Sequence, residues 1–244
     1  MNIIADRGNS ITKIYLFAED ELSSKIEHDS LHLDSLIIPH EWNLANESMN
    51  LFVSDVGEGD PDWSAIIPVN GKTLRMDHAL ILNIEILYQT PETLGHDRIA
   101  NACAVSTINR GKDSLVIDAG TCLKFDIVKA GTTYLGGSIS PGLNMRYEAV
   151  ANNTSQLPHL KAVEEKIELI GTSTTLAIQS GIQNGMIEEI NGITERYRSM
   201  YPGISVYLTG GDTEVFATML KSPIFVAPDL TARGLNEIFK LNLH

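Results

Sequence analysis

Three short segments of this sequence carry residue types that can hold an anion. Asp6-Arg7-Gly8-Asn9-Ser10-Ile11-Thr12-Lys13 gathers a carboxylate, a glycine, two hydroxyls and an ammonium. Gly8 lets backbone N–H groups approach an anion closely, Asn9 and Ser10 add side-chain hydrogen bonds, and Lys13 can reach a phosphate oxygen. Asp6, at the end of an apolar run, can hold a cation or its water shell. A plain β-hairpin turn favours the same Asn/Gly chemistry, so this segment alone leaves both readings open. Asp118-Ala119-Gly120-Thr121 repeats the device nearly half the chain away, and two such turns facing each other form a phosphate clamp. Leu208-Thr209-Gly210-Gly211-Asp212 follows a third apolar run. Its paired glycines let a flat ring or a ribose pack on the backbone, or simply make a tight turn; coming third after two phosphate turns, the segment reads as the nucleoside pocket. A fourth segment offers Asp97 and Arg98. Asp97 reads as a base for a hydroxyl or as a helix N-cap. Arg98 is a fork-shaped donor for a carboxylate or amide oxygen, or a surface helix residue.

Those turns need strands to hold them. Residues 3–17 and 115–128 share one pattern: an apolar run, Asp-x-Gly with a hydroxyl close behind, a Lys, and a second apolar run. That repetition predicts duplicated domains, 1–113 and 114–244, parted near the polar segment Arg110–Asp113. Strands are expected at 3–5, 12–17, 51–55, 64–68, 115–118, 123–128, 133–139, 204–208 and 224–227. Helices are expected from about 95 to 109, over 172–199, and shorter ones at 213–220 and 231–240. Within 172–199, Ile178, Ile182, Met186, Ile190, Ile193 and Tyr197 make one apolar stripe. The fold class is therefore α/β, with two lobes and a cleft.

Composition narrows the partners. The 244 residues are 43% apolar and 20% charged, ordinary for a globular chain, and carry a net charge of −13. So acidic a chain repels nucleic-acid backbones and anionic lipid, and neither partner is expected. No apolar run approaches membrane-spanning length. Asp6 and Arg7 interrupt the first apolar segment, so no leader is expected. Cys103 and Cys122 form neither a metal spacing nor a disulfide framework and read as two buried thiols. A cytoplasmic setting suits them.

The order of the turns resembles the acetate and sugar kinase/heat-shock chaperone/actin superfamily. Further motifs narrow the resemblance. Tyr88-Gln89-Thr90-Pro91-Glu92-Thr93-Leu94-Gly95-His96-Asp97-Arg98 with Asn101, Gly136-Gly137-Ser138-Ile139-Ser140-Pro141-Gly142-Leu143, and Gly171-Thr172-Ser173-Thr174 with Ala177 and Ser180-Gly181 stand in order. Together they resemble the type III pantothenate kinase family, over residues 6 to 212. The resemblance implies two ribonuclease-H-like (actin-like ATPase) lobes with a nucleotide cleft. It also implies ATP-dependent phosphorylation of pantothenate to 4′-phosphopantothenate, the first step toward coenzyme A.

Residue roles follow from the same resemblance. It implies a catalytic Asp97, chiefly orienting the hydroxyl if the transition state is loose. Substrate contacts fall to Tyr88, Gly95, His96, Arg98 and Thr174, and ATP contacts to Asp6–Lys13, Thr121, Gly210 and Gly211. Asp118 is implied to bind a monovalent cation, potassium or ammonium, and Asp6 to manage Mg2+ through water. A homodimer is implied whose partner completes the substrate site, and Gly181 and Gly185, four apart, suit close helix approach. Ser10, Thr172-Ser173 and Cys122 depart from the family's usual residues, and Ser10 keeps the hydroxyl. Two other readings remain: a non-catalytic nucleotide-binding regulator of the same fold, and a kinase for a sugar or another small acid.

Overall fold

The computed structural model describes residues 1–42, 48–221 and 223–243. It divides into two compact units, one of Met1–Asn83, Gln89–Ala104 and Leu230–His244, the other of Ile84–Tyr88 and Val105–Asp229.

In the first unit, β1 (Asn2–Arg7) and β2 (Ile11–Ala18) form an antiparallel hairpin. Alternation sends Ile3, Ala5, Ile14 and Leu16 to one face, where they meet Trp42, Leu51, Val53 and Trp63 in a shared core. β3 (Glu21–Asp29) extends the hairpin, β4 (Asn50–Asp55) lies parallel to β1, and β5 (Thr73–Arg75) lies parallel to β4. The strand order is β3-β2-β1-β4-β5. Residues 64–68, expected as a strand, begin instead in a one-turn helix, α1 (Trp63–Ile66). Asp62 decides this, because its Oδ1 accepts from Ser64 N and Ala65 N at 3.1 and 3.2 Å and caps the turn.

The helix α2 (His96–Ile108) runs as expected. The C-terminal helix Leu230–Leu241 packs on it and on the sheet. Phe239 stacks on Phe52 with centroids 5.0 Å apart, and a Cβ on Gly234 would overlap the Ala100 carbonyl.

The second unit repeats the topology. β7 (Ser114–Ala119), β8 (Cys122–Lys129) and β9 (Thr133–Pro141) form an antiparallel meander. β10 (Ser205–Thr209) lies parallel to β7, and β11 (Phe225–Val226) parallel to β10. A short β6 (Glu85–Ile86) joins at the far edge, giving β11-β10-β7-β8-β9-β6. Without β6, the order from β9 to β11 is that of the first sheet. The duplication expected from the repeated segments is therefore present in the strand order.

The helices of this unit are α3 (Leu143–Asn152), α4 (Thr174–Gln179), α5 (Gly185–Met200) and α6 (Thr213–Ala217). The helix expected at 172–199 is continuous through α4 and α5 but includes a π-helical turn at Ser180–Asn184. Its stripe explains the turn. Apolar residues exactly four apart drift by about 40° per step on an α-helix, and a wider turn between Ile178 and Ile190 brings them back toward one face. Ile182, Met186 and Ile190 are buried in the core of the second sheet with Leu115, Phe125 and Leu208.

Candidate active site

The first Asp-Gly turn is open. β1 and β2 are joined by Gly8-Asn9-Ser10, with Gly8 N donating to Ile11 O at 3.0 Å and Asn9, Ser10 and Ile11 exposed. Asp6 is half-buried at its base, opposite Lys13 in the hairpin register. The side chains either side of the turn are otherwise engaged. Arg7 is only 6% exposed, and its guanidinium donates to Asp55 at 3.3 and 3.4 Å and to the Ser30 and Glu58 carbonyls. Asp55 in turn accepts from Trp63 Nε1 at 2.8 Å and Gly57 N at 3.0 Å. Thr12 is buried, with its hydroxyl 2.9 Å from that of Ser30. Lys13 bridges to Glu27 at 3.7 Å. What this turn offers an anion is thus its backbone, Asn9 and Ser10, with Asp6 beside them. A half-buried carboxylate next to an open turn fits magnesium held through water, since magnesium keeps much of its hydration shell.

The second turn is backed by neighbouring backbone at its base, where Asp118 is buried, although Gly120 is half-buried and Thr121 is exposed. Gly120 and Thr121 join β7 and β8, with Gly120 N donating to Cys122 O at 3.1 Å. β10 brings the Gly-Gly turn alongside, because Thr209 pairs with Asp118 across the parallel ladder. Asp212 N donates to Ala119 O at 2.8 Å, and Gly210, at φ +100°, lies so close that a Cβ there would meet Asp118 Oδ1 at 2.6 Å. Only glycine fits that conformation and that distance. Gly211 faces open space, as a nucleoside pocket requires. Gly142 closes another side: a Cβ on it would overlap the carbonyl oxygens of Gly120 and Thr121. Asp118, Gly120, Thr121, Gly210 and Gly211 are therefore gathered into one site within this unit.

Asp118 is 7% exposed, and its Oδ2 accepts from Lys124 Nζ at 2.8 Å. Burial, and then the neighbouring Asp118, push the Asp212 carboxyl above its ordinary pKa. The residues present do not fit a free monovalent cation at Asp118. One carboxylate oxygen already holds an ammonium, and the other faces the Gly210 backbone.

In the first unit, the Gly95–Arg98 segment opens α2. Gly95 O accepts from Arg98 N and Ile99 N at 3.1 and 3.2 Å, so the helix caps on Gly95 and Asp97 sits in the first turn rather than at the N-cap. Asp97 Oδ1 accepts from Arg98 N at 2.8 Å and is where a Cβ on Gly95 would point. Negative charge is favoured there by the helix dipole. Arg98 is 4% exposed, which removes the surface-helix reading. His96 rests against His78 with ring centroids 5.2 Å apart. Burial and then His78 lower its pKa against the pull of Asp97 and Asp77. Asn101 is fully buried, and its Oδ1 accepts from Thr231 Oγ1, tying α2 to the C-terminal helix.

Tyr88 belongs to the second unit, tilted against Tyr134 at 6.1 Å, and Tyr134 donates to the buried Asp126 at 2.7 Å. Gly136, at φ +107°, leaves room for the Tyr88 ring, which a Cβ would meet at 3.3 Å. The Gly136–Pro141 segment is the end of β9, which runs two residues beyond the strand expected at 133–139. Thr174 is exposed as the first residue of α4, and the cap is Ser173, whose hydroxyl accepts from Leu176 N at 3.3 Å. Cys103 is buried, with its thiol pushed up to about 12 by burial, whereas Cys122 is half-buried beside the second turn rather than fully enclosed.

Sequence reasoning missed Lys124, Gly142 and Asp212. Lys124 stood in the repeated pattern, but its pairing depends on strand register. Gly142 stood in a quoted motif, but what it touches is set by where α3 begins.

The duplicated sheet order and the glycine turns at equivalent strand ends define an actin-like ATPase fold. A Campylobacter jejuni structure described as a proposed Baf family transcriptional activator is similar over 98% of both chains, at TM-score 0.63 and 21% identity. A Sinorhizobium meliloti structure described as a proposed 2-dehydro-3-deoxygalactonokinase is similar at TM-score 0.55 and 11% identity, covering 98% of this chain and 96% of that one. Residues 2–196 match the family model of type III pantothenate kinase. Type III pantothenate kinases from Cytophaga hutchinsonii and Phocaeicola vulgatus are 40% and 36% identical, over 100% and 99% of each chain. The chain belongs to the type III pantothenate kinase family.

Proposed function

We propose that this chain transfers the terminal phosphoryl group of ATP to the hydroxyl of pantothenate, giving 4′-phosphopantothenate and ADP. The observation that carries the reading is the pair of Asp-Gly turns at the same strand junction of two copies of one sheet, in a member of this family. Phosphoryl transfer asks chiefly for positioning and charge stabilisation. On this reading each duplicated lobe, 1–113 and 114–244, brings one phosphate turn. The open turn at Gly8–Ser10 binds phosphate oxygens through its backbone, and Asp6 holds water-bound magnesium, which neutralises phosphate charge. Thr121 contacts ATP, and Gly210-Gly211 receive its nucleoside. Asp97 orients the pantothenate hydroxyl and accepts its proton, while Tyr88, Gly95, His96, Arg98 and Thr174 hold the rest of the substrate.

We also propose a homodimer. Leu169 and Ile170 are about four-fifths exposed, and Gly181 and Gly185 beside them face open space, a shape suited to a second copy of this helix. Among the described residues no helix is long and apolar enough to cross a membrane.

The test is ADP release with magnesium ATP against pantothenate, sugars and acetate, with mass spectrometry of the product. A new phosphate ester on pantothenate alone is expected, and Asp97→Asn should lower turnover about 10²-fold or more with ATP binding kept. Phosphorylation of a sugar in preference to pantothenate, or none at all, overturns the reading. Light scattering reads the dimer, and a monomer of 26.7 kDa that still turns over would sink it.

A further inference from the structure

Lys124 and Asp118 face each other across the β7–β8 ladder, and their ion pair is short and nearly closed to solvent, with side chains 14% and 10% exposed. The register neighbour of Lys124 on β9 is the apolar Ile139. In the equivalent hairpin of the first unit, Lys13 has Glu27 as its register neighbour on β3 and bridges to it. The Lys124 ammonium therefore sits at the base of the Gly120-Thr121 turn, where it offsets one of two carboxylates, Asp118 and Asp212. Removing it would leave Asp118 nearly enclosed without that partner, a costly state.

We propose that Lys124 is a positioning residue of the second phosphate turn, its tethered ammonium taking the place of a free monovalent cation at Asp118. The inference rests on the kinase reading above, and it predicts turnover indifferent to potassium. Holding Asp118 by an ammonium fixed to β8 keeps the Gly120 and Gly210 backbones in register for ATP without recruiting an ion from solution.

The experiment assays ADP release from ATP and pantothenate in sodium, potassium and ammonium chloride at matched ionic strength. A non-hydrolysable ATP analogue is titrated in the same salts. Rates and Kd values of the unaltered protein should agree within roughly twofold, since general screening is equal at equal ionic strength. Lys124→Met, checked for folding by circular dichroism, should lose roughly tenfold or more in sodium. It should recover in potassium or ammonium, which a merely structural role for Lys124 would not produce. Lys124→Arg, keeping the charge, should stay indifferent to the cation and serves if the Met variant fails to fold.

Marked acceleration of the unaltered protein by potassium overturns the proposal. So does a Met variant fully active in sodium, or a folded one that no cation restores. If pantothenate is not phosphorylated in any salt, the kinase reading fails, while the analogue titration still reads the cation requirement at Lys124.

Discussion

The two Asp-Gly turns are copies in topology and opposites in charge handling. Each places an aspartate at the end of the first strand with a lysine opposite it on the second, Asp6 with Lys13 and Asp118 with Lys124. The third strand makes the difference. Glu27 on β3 takes Lys13 in a partly exposed pair at 3.7 Å, whereas Lys124, opposite the apolar Ile139 on β9, pairs with Asp118 at 2.8 Å. The first turn is three residues long, while the second is two residues long and has Gly142 and Gly210 packed against its backbone, with Thr121 still exposed. A duplicated sheet therefore conserves the Asp–Lys register beside the turn, while the residue facing the lysine on the third strand changes its electrostatics.

The strongest way to break this contrast is to add one methyl group to each turn. Gly142→Ala should cost about 3 kcal/mol or more, since its Cβ would overlap the backbone of the second turn and neither side can shift freely. A loss of that size lowers Tm by roughly 2–4 °C per kcal/mol in a chain this long. Gly8→Ala brings a Cβ only to 3.3 Å from Ile11 O, so its loss should stay below about 1 kcal/mol. Equal losses in thermal melts would mean that the second turn is no more tightly packed against its neighbours than the first.

Arg7→Met comes next. It breaks the ion pair beside the first turn, but Asp55 keeps Trp63 Nε1 and Gly57 N as donors. About 2 kcal/mol is expected, less than the ~3–5 kcal/mol of a fully enclosed pair. Urea titration measures it. No loss of stability would return Arg7 from a structural role to one at the turn.

Much of this was legible in the residues themselves. Apolar runs broken by Asp-x-Gly located β1, β2, β7 and β8 and both turns, because the side chains entering the core alternate there. The strands that went unread were short or polar. β3, Glu-Leu-Ser-Ser-Lys-Ile-Glu-His-Asp, is half-buried only at every second residue, and β5 and β6 have three and two residues. α3 buries only Leu143, Tyr147 and Ala151, too sparse a stripe to announce a helix. The open turn of the first unit was read from its own residues. The surroundings of the second turn were not, since Lys124, Gly142 and Asp212 act through register and through contacts made far along the chain.

A smaller effect separates the two lysines. Lys13→Met removes a half-exposed ammonium near the open turn, and a rise in KM for ATP of roughly twofold to fivefold is expected, since exposed pairs contribute ~0.2–1 kcal/mol. That rise should be the same in sodium and potassium. A potassium-selective response in Lys13→Met would show that the first turn, too, depends on a tethered cation.

The smallest effect concerns Asp212, whose carboxyl is raised above its ordinary pKa by burial and then by Asp118. Between the ordinary carboxylate range and the raised value, the folded chain keeps a proton that the unfolded chain has released. Stability from this group is therefore present at low pH and declines as pH rises through that window. Asp212→Asn cannot ionise, so the Tm of the variant should match that of the unaltered protein in acid and exceed it progressively above the ordinary carboxylate range. The gap should level off once Asp212 is ionised in both states. Lys124 bears on the size of the gap, because its ammonium offsets the Asp118 charge that Asp212 feels. In the Lys124→Met background the gain from Asp212→Asn should be larger, and the two substitutions should couple rather than add. Melts of the four proteins from pH 4 to 8 measure this. An additive pair would mean that Lys124 neutralises Asp118 without influencing the Gly-Gly turn, and the site at the second turn would then be two independent charges rather than one.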